Sequence, residues 1–209
     1  EHVWTERHRP DSLDEVIGQE AQVDRMAKWV DDESMPHLLL HGPAGTGKTA
    51  SAVAFAKEKY GDNWRSNLIE MNASDDRGID VVREQIKSVA QQSASGEYGY
   101  KVIYLDEADN LTKDAQAALR RVMEEYTDQT RFILSCNYPS KLIDPIQSRC
   151  TPLPFRRLDN PEIEELITRI LEKEGVDYEE SAVSKIVEYV EGDARRAVHT
   201  LQTSVQDGK

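Results

Sequence analysis

The octapeptide Gly42-Pro43-Ala44-Gly45-Thr46-Gly47-Lys48-Thr49 constrains this chain more than any other feature. It fits the pattern G-x-x-x-x-G-K-[ST] at every fixed position, follows the apolar run Leu38-Leu39-Leu40, and leads into a helical pattern. Glycines let such a loop wrap close to an anion, so that backbone N–H groups and the following helix N-terminus face phosphate. Lys48 is expected to reach β- and γ-phosphates, and the Thr49 hydroxyl to sit on Mg²⁺. A glycine-rich turn with no ligand is the bland reading, and the flanking strand and helix argue against it.

The rest of the chain is consistent with that nucleus. A polar lead-in over 1–36 carries a helical pattern with Val23, Met26, Ala27 and Val30 on one face. Five short apolar runs read as buried strands: Leu38–His41, Leu68–Met71, Lys101–Asp106, Arg131–Cys136 and Thr151–Phe155. Helical patterns at Thr49–Lys59, Ile79–Gln92 and Lys113–Tyr126 separate them. Alternation of this kind predicts an α/β fold, a five-stranded parallel sheet flanked by helices. After Phe155 the periodicity becomes purely helical, with caps at Asp159-Asn160-Pro161, Gly175 and Gly192-Asp193. We therefore expect an α/β domain over 1–157 and a small three-helix domain over 158–209.

Composition narrows the setting. The 209 residues carry a net charge of −13, and mean hydropathy is −0.66. No apolar stretch is long enough for a transmembrane helix and no signal pattern stands out, so no membrane association is expected. Cys136 and Cys150 cannot build a disulfide framework or a four-ligand zinc site by themselves. A cytoplasmic, reduced setting follows as an expectation. The acidic balance argues at first sight against nucleic acid, which normally meets a basic footprint. Eighteen Asp against eleven Lys instead suit a halophile's surface.

Val102-Ile103-Tyr104-Leu105-Asp106-Glu107 delivers two carboxylates to the carboxyl edge of the sheet, where ligands bind in α/β folds. Asp106 is expected to hold Mg²⁺ through water, and Glu107 to polarise an attacking water. Other acidic pairs, such as Asp75-Asp76 and Glu179-Glu180, lack such a strand and read as solvated surface.

With the phosphate loop, Asp106-Glu107-Ala108-Asp109 resembles an AAA+ ATPase. The resemblance narrows to the small subunits of replication factor C, the archaeal and eukaryotic clamp loader. It is carried by Trp4–Pro10 running into Leu13–Glu20, by Asn72–Gly78, Ala118–Glu124, Ser148-Arg149-Cys150 and Gly192–Ala197. It implies ATP and Mg²⁺ as ligands. It also implies Asn137 as the sensor orienting water near the γ-phosphate, and Arg149 as an arginine finger given in trans to a neighbouring subunit's site. Arg195 would be a second sensor reaching from the lid, with Arg196 left as a surface or lid-packing residue. Arg9, Val16 and Ile17 would form the adenine and ribose edge. Implied partners are a sliding clamp of the PCNA type, a large subunit, other small subunits and primer–template DNA, in a nucleoid-associated setting. The family's C-terminal collar helices are expected to be missing from this chain.

DNA contact by backbone phosphates is expected from Arg83 and Lys87, four apart on one helix face, with Arg77 at the approach. An ordinary charged helix face is the alternative, because Asp80 and Glu84 are interleaved. The segment Ser88–Tyr100 resembles the part that rests on the clamp, with Val89, Tyr98 and Tyr100 as its only plausible anchors. Two other functions compete with clamp loading: a related AAA+ motor such as a branch-migration helicase, and a scaffold that binds ATP without turning it over. The charge has an address, since residues 159–191 hold eleven acids and three bases, a net of −8.

Overall fold

A computed structural model describes residues 2–74, 79–92 and 99–207. In chain order the principal elements are α1 (Trp4–Arg7), α2 (Glu20–Lys28), β1 (His37–His41), α3 (Lys48–Tyr60), α4 (Trp64–Asn67), β2 (Leu68–Asn72) and α5 (Ile79–Gln92). They continue as β3 (Lys101–Asp106), α6 (Lys113–Glu125), β4 (Thr130–Cys136), α7 (Asp144–Arg149) and β5 (Cys150–Pro154). The chain then runs through α8 (Asn160–Glu174), α9 (Glu180–Val190) and α10 (Ala194–Gln206). Arg77 and Tyr98 lie outside the described residues, as do the other residues of 93–98 in the segment expected to meet a clamp.

The five strands form one sheet in the order β2-β3-β4-β1-β5, and every pairing is parallel. Parallel strands buried on both faces need continuous apolar runs, and Leu38, Leu39 and Leu40 of β1, an interior strand, supply one. Leu38 and Leu40 pack with α2 and α3 residues such as Met26, Val53 and Phe55, while Leu39 faces Leu119, Val122, Phe132 and Ile146 on the other side. Edge strand β5 holds Pro152 and Pro154, tolerated there because an edge needs ladder donors on one side only. Phe155, expected inside that strand, falls just beyond it, yet its N–H still donates to His41 O at 2.7 Å.

Two expectations are corrected by packing. Ala27 is exposed rather than on the buried face of α2, because Val23 and Met26 already fill the stripe and Val30 lies past the helix end. Tyr100, considered as a clamp anchor, is buried: its ring lies 4.8 Å from Lys59 Nζ and 4.6 Å from the Arg131 guanidinium, and its hydroxyl donates to Asp32 O. A ring held between two cations is part of the core's base.

Helices α8, α9 and α10, the small C-terminal domain expected to act as a lid and called the lid below, pack through Ile163, Ile167, Ile170, Val183, Val187, Val190, Ala197 and Leu201. Asp159 caps α8 in a reciprocal box with Glu162, and Gly175 ends it in the left-handed conformation. Trp4 of α1 is buried in this cluster, and its N–H donates to Gln202 Oε1 at 3.0 Å. The N-terminal segment thus clips to the lid. Among the described residues no helix is long and apolar enough to cross a membrane. Cys136 and Cys150 are buried free thiols, pushed up to about 12 by burial.

His37 gives the fold a pH dependence. Its Nδ1 accepts the Phe132 N–H at 3.0 Å, so the neutral ring is the one that fits. Burial, with the positive Arg131 nearby, holds its pKa down at about 4. The unfolded chain binds the extra proton near pH 6.5, so the stabilisation is complete above that pH and is lost as pH falls towards 4. Urea unfolding across this window is expected to show a loss of roughly 3 kcal/mol from this group. His37→Gln should flatten the profile there; an unchanged slope would contradict the assignment.

Candidate functional site

Chain connectivity places the site. From β1 the chain crosses to β2 on one side, and β5 lies on the other, so a crevice opens at the carboxyl edge beside β1. The loop 42–47 leaves β1 there, starting with Gly42 N–H donating to Cys136 O at 3.1 Å. Gly42 admits no side chain, because a Cβ would lie 2.0 Å from Phe155 O. Gly45 has φ +74°, and a Cβ there would meet the Asp193 carboxylate at 1.8 Å. The loop ends on Lys48 at the start of the thirteen-residue helix α3, whose N-terminal N–H groups suit an anion.

A cavity of about 570 Å³ opens over this loop, lined by Ala44–Thr49, Tyr104, Asp106, Glu107, Asn137, Arg195 and Arg9-side residues of the N-terminal segment. Lys48 is buried, and its Nζ donates to Gly42 O, to Pro43 O at 3.1 Å and to Asn137 Oδ1 at 3.0 Å. Burial lowers its pKa, opposed by the nearby Cys136, Asp106 and Asp109. The ammonium is thus held by neutral oxygens, which a phosphate would replace with a full opposite charge.

The carboxylates sit as the strand pattern required. Tyr104 and Asp106 are two apart on β3 and share a face. The buried Tyr104 hydroxyl lies 2.8 Å from Thr49 Oγ1, holding the hydroxyl at the head of α3. Thr49 and Asp106 line one cavity, and a hydroxyl with a carboxylate beside a phosphate loop is the oxygen donor set that Mg²⁺ takes. Glu107 has φ 56°, one of two non-glycine residues with positive φ among the described residues. Its N–H donates to Asp106 Oδ1 at 2.8 Å, and its Oε2 accepts from Ser74 Oγ and, at 3.3 Å, from Asn110 Nδ2. Asn137 is fixed by Asp109, whose Oδ2 accepts its N–H at 3.2 Å and that of Tyr138 at 3.0 Å.

The remaining candidates divide. Arg9, Val16 and Ile17 line the cavity, with Val16 in the α/β core and Ile17 against the lid core. Arg9 pairs with Glu6 at 3.0 Å and Glu70 at 3.7 Å. Arg195 reaches the cavity from the first turn of α10, whereas Arg196 stacks over the Tyr189 ring at 4.3 Å on the outside. Gly42 and Pro43 approach through their carbonyls on Lys48. Arg149 does not line the cavity. It ends α7, donates to Pro145 O at 3.0 Å and pairs with Glu124, which also holds Arg120 at 3.3 Å. Arg83 and Lys87 lie on α5 away from its buried stripe of Val82, Ile86 and Ala90, with Arg83 paired to Asp80 at 3.6 Å.

Sequence reasoning passed over several lining residues. Leu166, Arg169, Ile170 and Lys173 present one face of α8 to the cavity, and two of the three bases in the most acidic segment are among them. Their i, i+4 spacing was the available signal. His8 also lines the cavity, and its Nε2 lies 2.7 Å from Glu174 Oε1, an oxygen that Arg7 reaches at 2.8 Å.

The profile of the family described as "ATPase family associated with various cellular activities (AAA)" matches residues 38–157. Over 208 residues the chain is 50% identical to the replication factor C small subunit of Halobacterium salinarum, covering 100% of this chain and 64% of that protein. The same name belongs to relatives from Aeropyrum pernix (50%, 100% of this chain and 64% of that one) and Archaeoglobus fulgidus (49%, 99% and 65%). The chain spans just under two thirds of the length of these curated relatives. A solved structure, the RuvB Holliday junction branch migration motor of Thermotoga maritima, superposes with a TM-score of 0.75 at 24% identity, covering 95% of this chain and 65% of that one. That likeness concerns the fold alone.

Proposed function

The chain belongs to the AAA ATPase family, and on that premise we propose that it is the ATP-binding and ATP-hydrolysing part of a replication factor C small subunit, which helps load a sliding clamp onto primed DNA. The observation that carries this reading is the division of the candidate residues between two places. Lys48, Thr49, Asp106, Glu107, Asn137 and Arg195 surround one cavity, whereas Arg149 stands outside it on Glu124. A site from which Arg149 stands apart suits an enzyme completed by a neighbour's Arg149.

The residues would act as follows. The loop N–H groups and Lys48 bind the β- and γ-phosphates of ATP, and Arg195 meets the γ-phosphate from the lid. Mg²⁺, held by Thr49 and through water by Asp106, would neutralise charge on those phosphates. Glu107 accepts a hydrogen bond from the attacking water and orients it, and the Asn137 side-chain amide, on a backbone held by Asp109, holds the other side. Arg149 of one subunit stabilises the transition state in the next. Arg83 and Lys87 contact DNA phosphates, shared among several subunits because the helix they stand on is neutral overall. The clamp, a large subunit, other small subunits and primer–template DNA complete the assembly, in the cytoplasm with the nucleoid.

The test compares ATP turnover by this chain alone with turnover by the full-length complex supplied with clamp and primed DNA. We expect slow turnover alone and strong stimulation in the complex. Equal rates in both would remove the shared-site reading, and strand separation at a branched junction would replace clamp loading with a motor.

A further inference from the structure

A loop that aims its N–H groups at an anion must turn its carbonyls outwards, and those carbonyls need donors. In this structure the donors are specific. Gly45 O accepts the Ala194 N–H at 2.7 Å, from the first residue of lid helix α10. Thr46 O accepts Gln19 Nε2 at 3.1 Å.

Gln19 is 4% exposed, and its side chain makes no local cap bond to α2 although it precedes that helix. Its three hydrogen bonds are all long-range. Besides Thr46 O, Nε2 donates to Arg156 O at 2.6 Å, and Oε1 accepts the Arg156 N–H at 3.2 Å. Two carbonyls and one N–H around a single amide fix which end is nitrogen. Among side chains of this length, only glutamine offers two donors and an acceptor together. Arg156 lies in the connection from β5 to the lid, between Phe155, bonded to His41 O, and Leu158, whose N–H donates to Gly192 O at 3.1 Å.

We propose that Gln19 is a positioning residue that locks the Thr46 peptide of the phosphate loop to the lid hinge at Arg156. Loop and lid are then joined twice, through Gln19 and through Gly45–Ala194, so that one arrangement of the loop goes with one angle of the lid. This rests on the nucleotide-site reading above. Gln19 touches no reacting atom; it acts through the loop.

The test uses the chain itself, with MgATP affinity by calorimetry and amide hydrogen exchange without nucleotide. Binding by the parent chain and its loss in Lys48→Ala check the nucleotide site separately. Gln19→Ala and Gln19→Glu are each expected to weaken MgATP binding about tenfold or more, since both strip donors from buried carbonyls. Both are also expected to speed exchange at the Ala194 amide, a group Gln19 does not touch and a readout that survives even if no nucleotide binds. Unchanged Ala194 exchange in folded variants overturns the proposal, whatever happens to affinity. Should the Gln19 variants fail to fold, Ala194→Pro approaches from the other side. Proline is accepted at the first helical position, and Asp193 before it is extended at ψ 103°. Faster exchange at Arg156 is then expected, and parental exchange there overturns the coupling.

Discussion

Replacing Lys48 with alanine is expected to weaken MgATP binding by roughly 100-fold or more and to remove turnover, because charge-assisted bonds from a buried ammonium to phosphate are lost. The fold should not suffer. The ammonium is buried on Gly42 O, Pro43 O and Asn137 Oδ1 with its pKa lowered by burial, so it is a desolvated charge without a bonded carboxylate. Removing it takes away three hydrogen bonds and the cost of burying the charge together. Thermal melts should therefore show the variant at or near the parental Tm, separating loss of binding from loss of structure. Affinity within threefold of the parent would withdraw Lys48 from the phosphate site.

Arg149→Ala carries the second large effect, and it is read in the neighbour. In a mixed full-length complex the adjacent subunit's turnover is expected to fall on the order of 10³-fold, the lower end of what an arginine finger contributes. The variant's own nucleotide affinity should be unchanged, because Arg149 is held on Glu124 and Pro145 O outside its own cavity. Arg149→Lys should not rescue, since an ammonium lacks the planar fork that grips two phosphate oxygens. Parental turnover in a complex carrying Arg149→Ala at every small subunit would end the assignment.

Much of this site was legible because its chemistry is local. The phosphate loop needs eight consecutive residues, and a strand pattern ending in Asp106-Glu107 places both carboxylates on the edge where that loop sits. The lid's caps at Asp159, Gly175 and Asp193 were equally readable, for each is settled within a few residues. The helix bounds moved by only one residue or so at each end, where the last turn is decided by neighbours.

The groups that orient the site were not legible. Asp109 stood in the Asp106–Asp109 motif with no role of its own, yet it holds the Asn137 backbone N–H from 28 residues away. Gln19 belonged to the Leu13–Glu20 stretch that carries the resemblance but had no role of its own, and its side-chain partners lie 27 and 137 residues distant. Nothing in a pattern of near neighbours reports a bond of that span.

The phosphate loop by itself therefore determined the kind of ligand, the strand before it and the helix after it. Backbone geometry and residue type suffice for that. Only the tertiary structure decided how the loop is held: which donors cover its outward carbonyls, and that Arg169 and Lys173 of the acidic lid face the cavity. It also chose Glu124 and Pro145 O as the partners of Arg149. Those outcomes depend on which surfaces meet when the lid packs against the sheet, and burial of apolar faces far apart in sequence settles that.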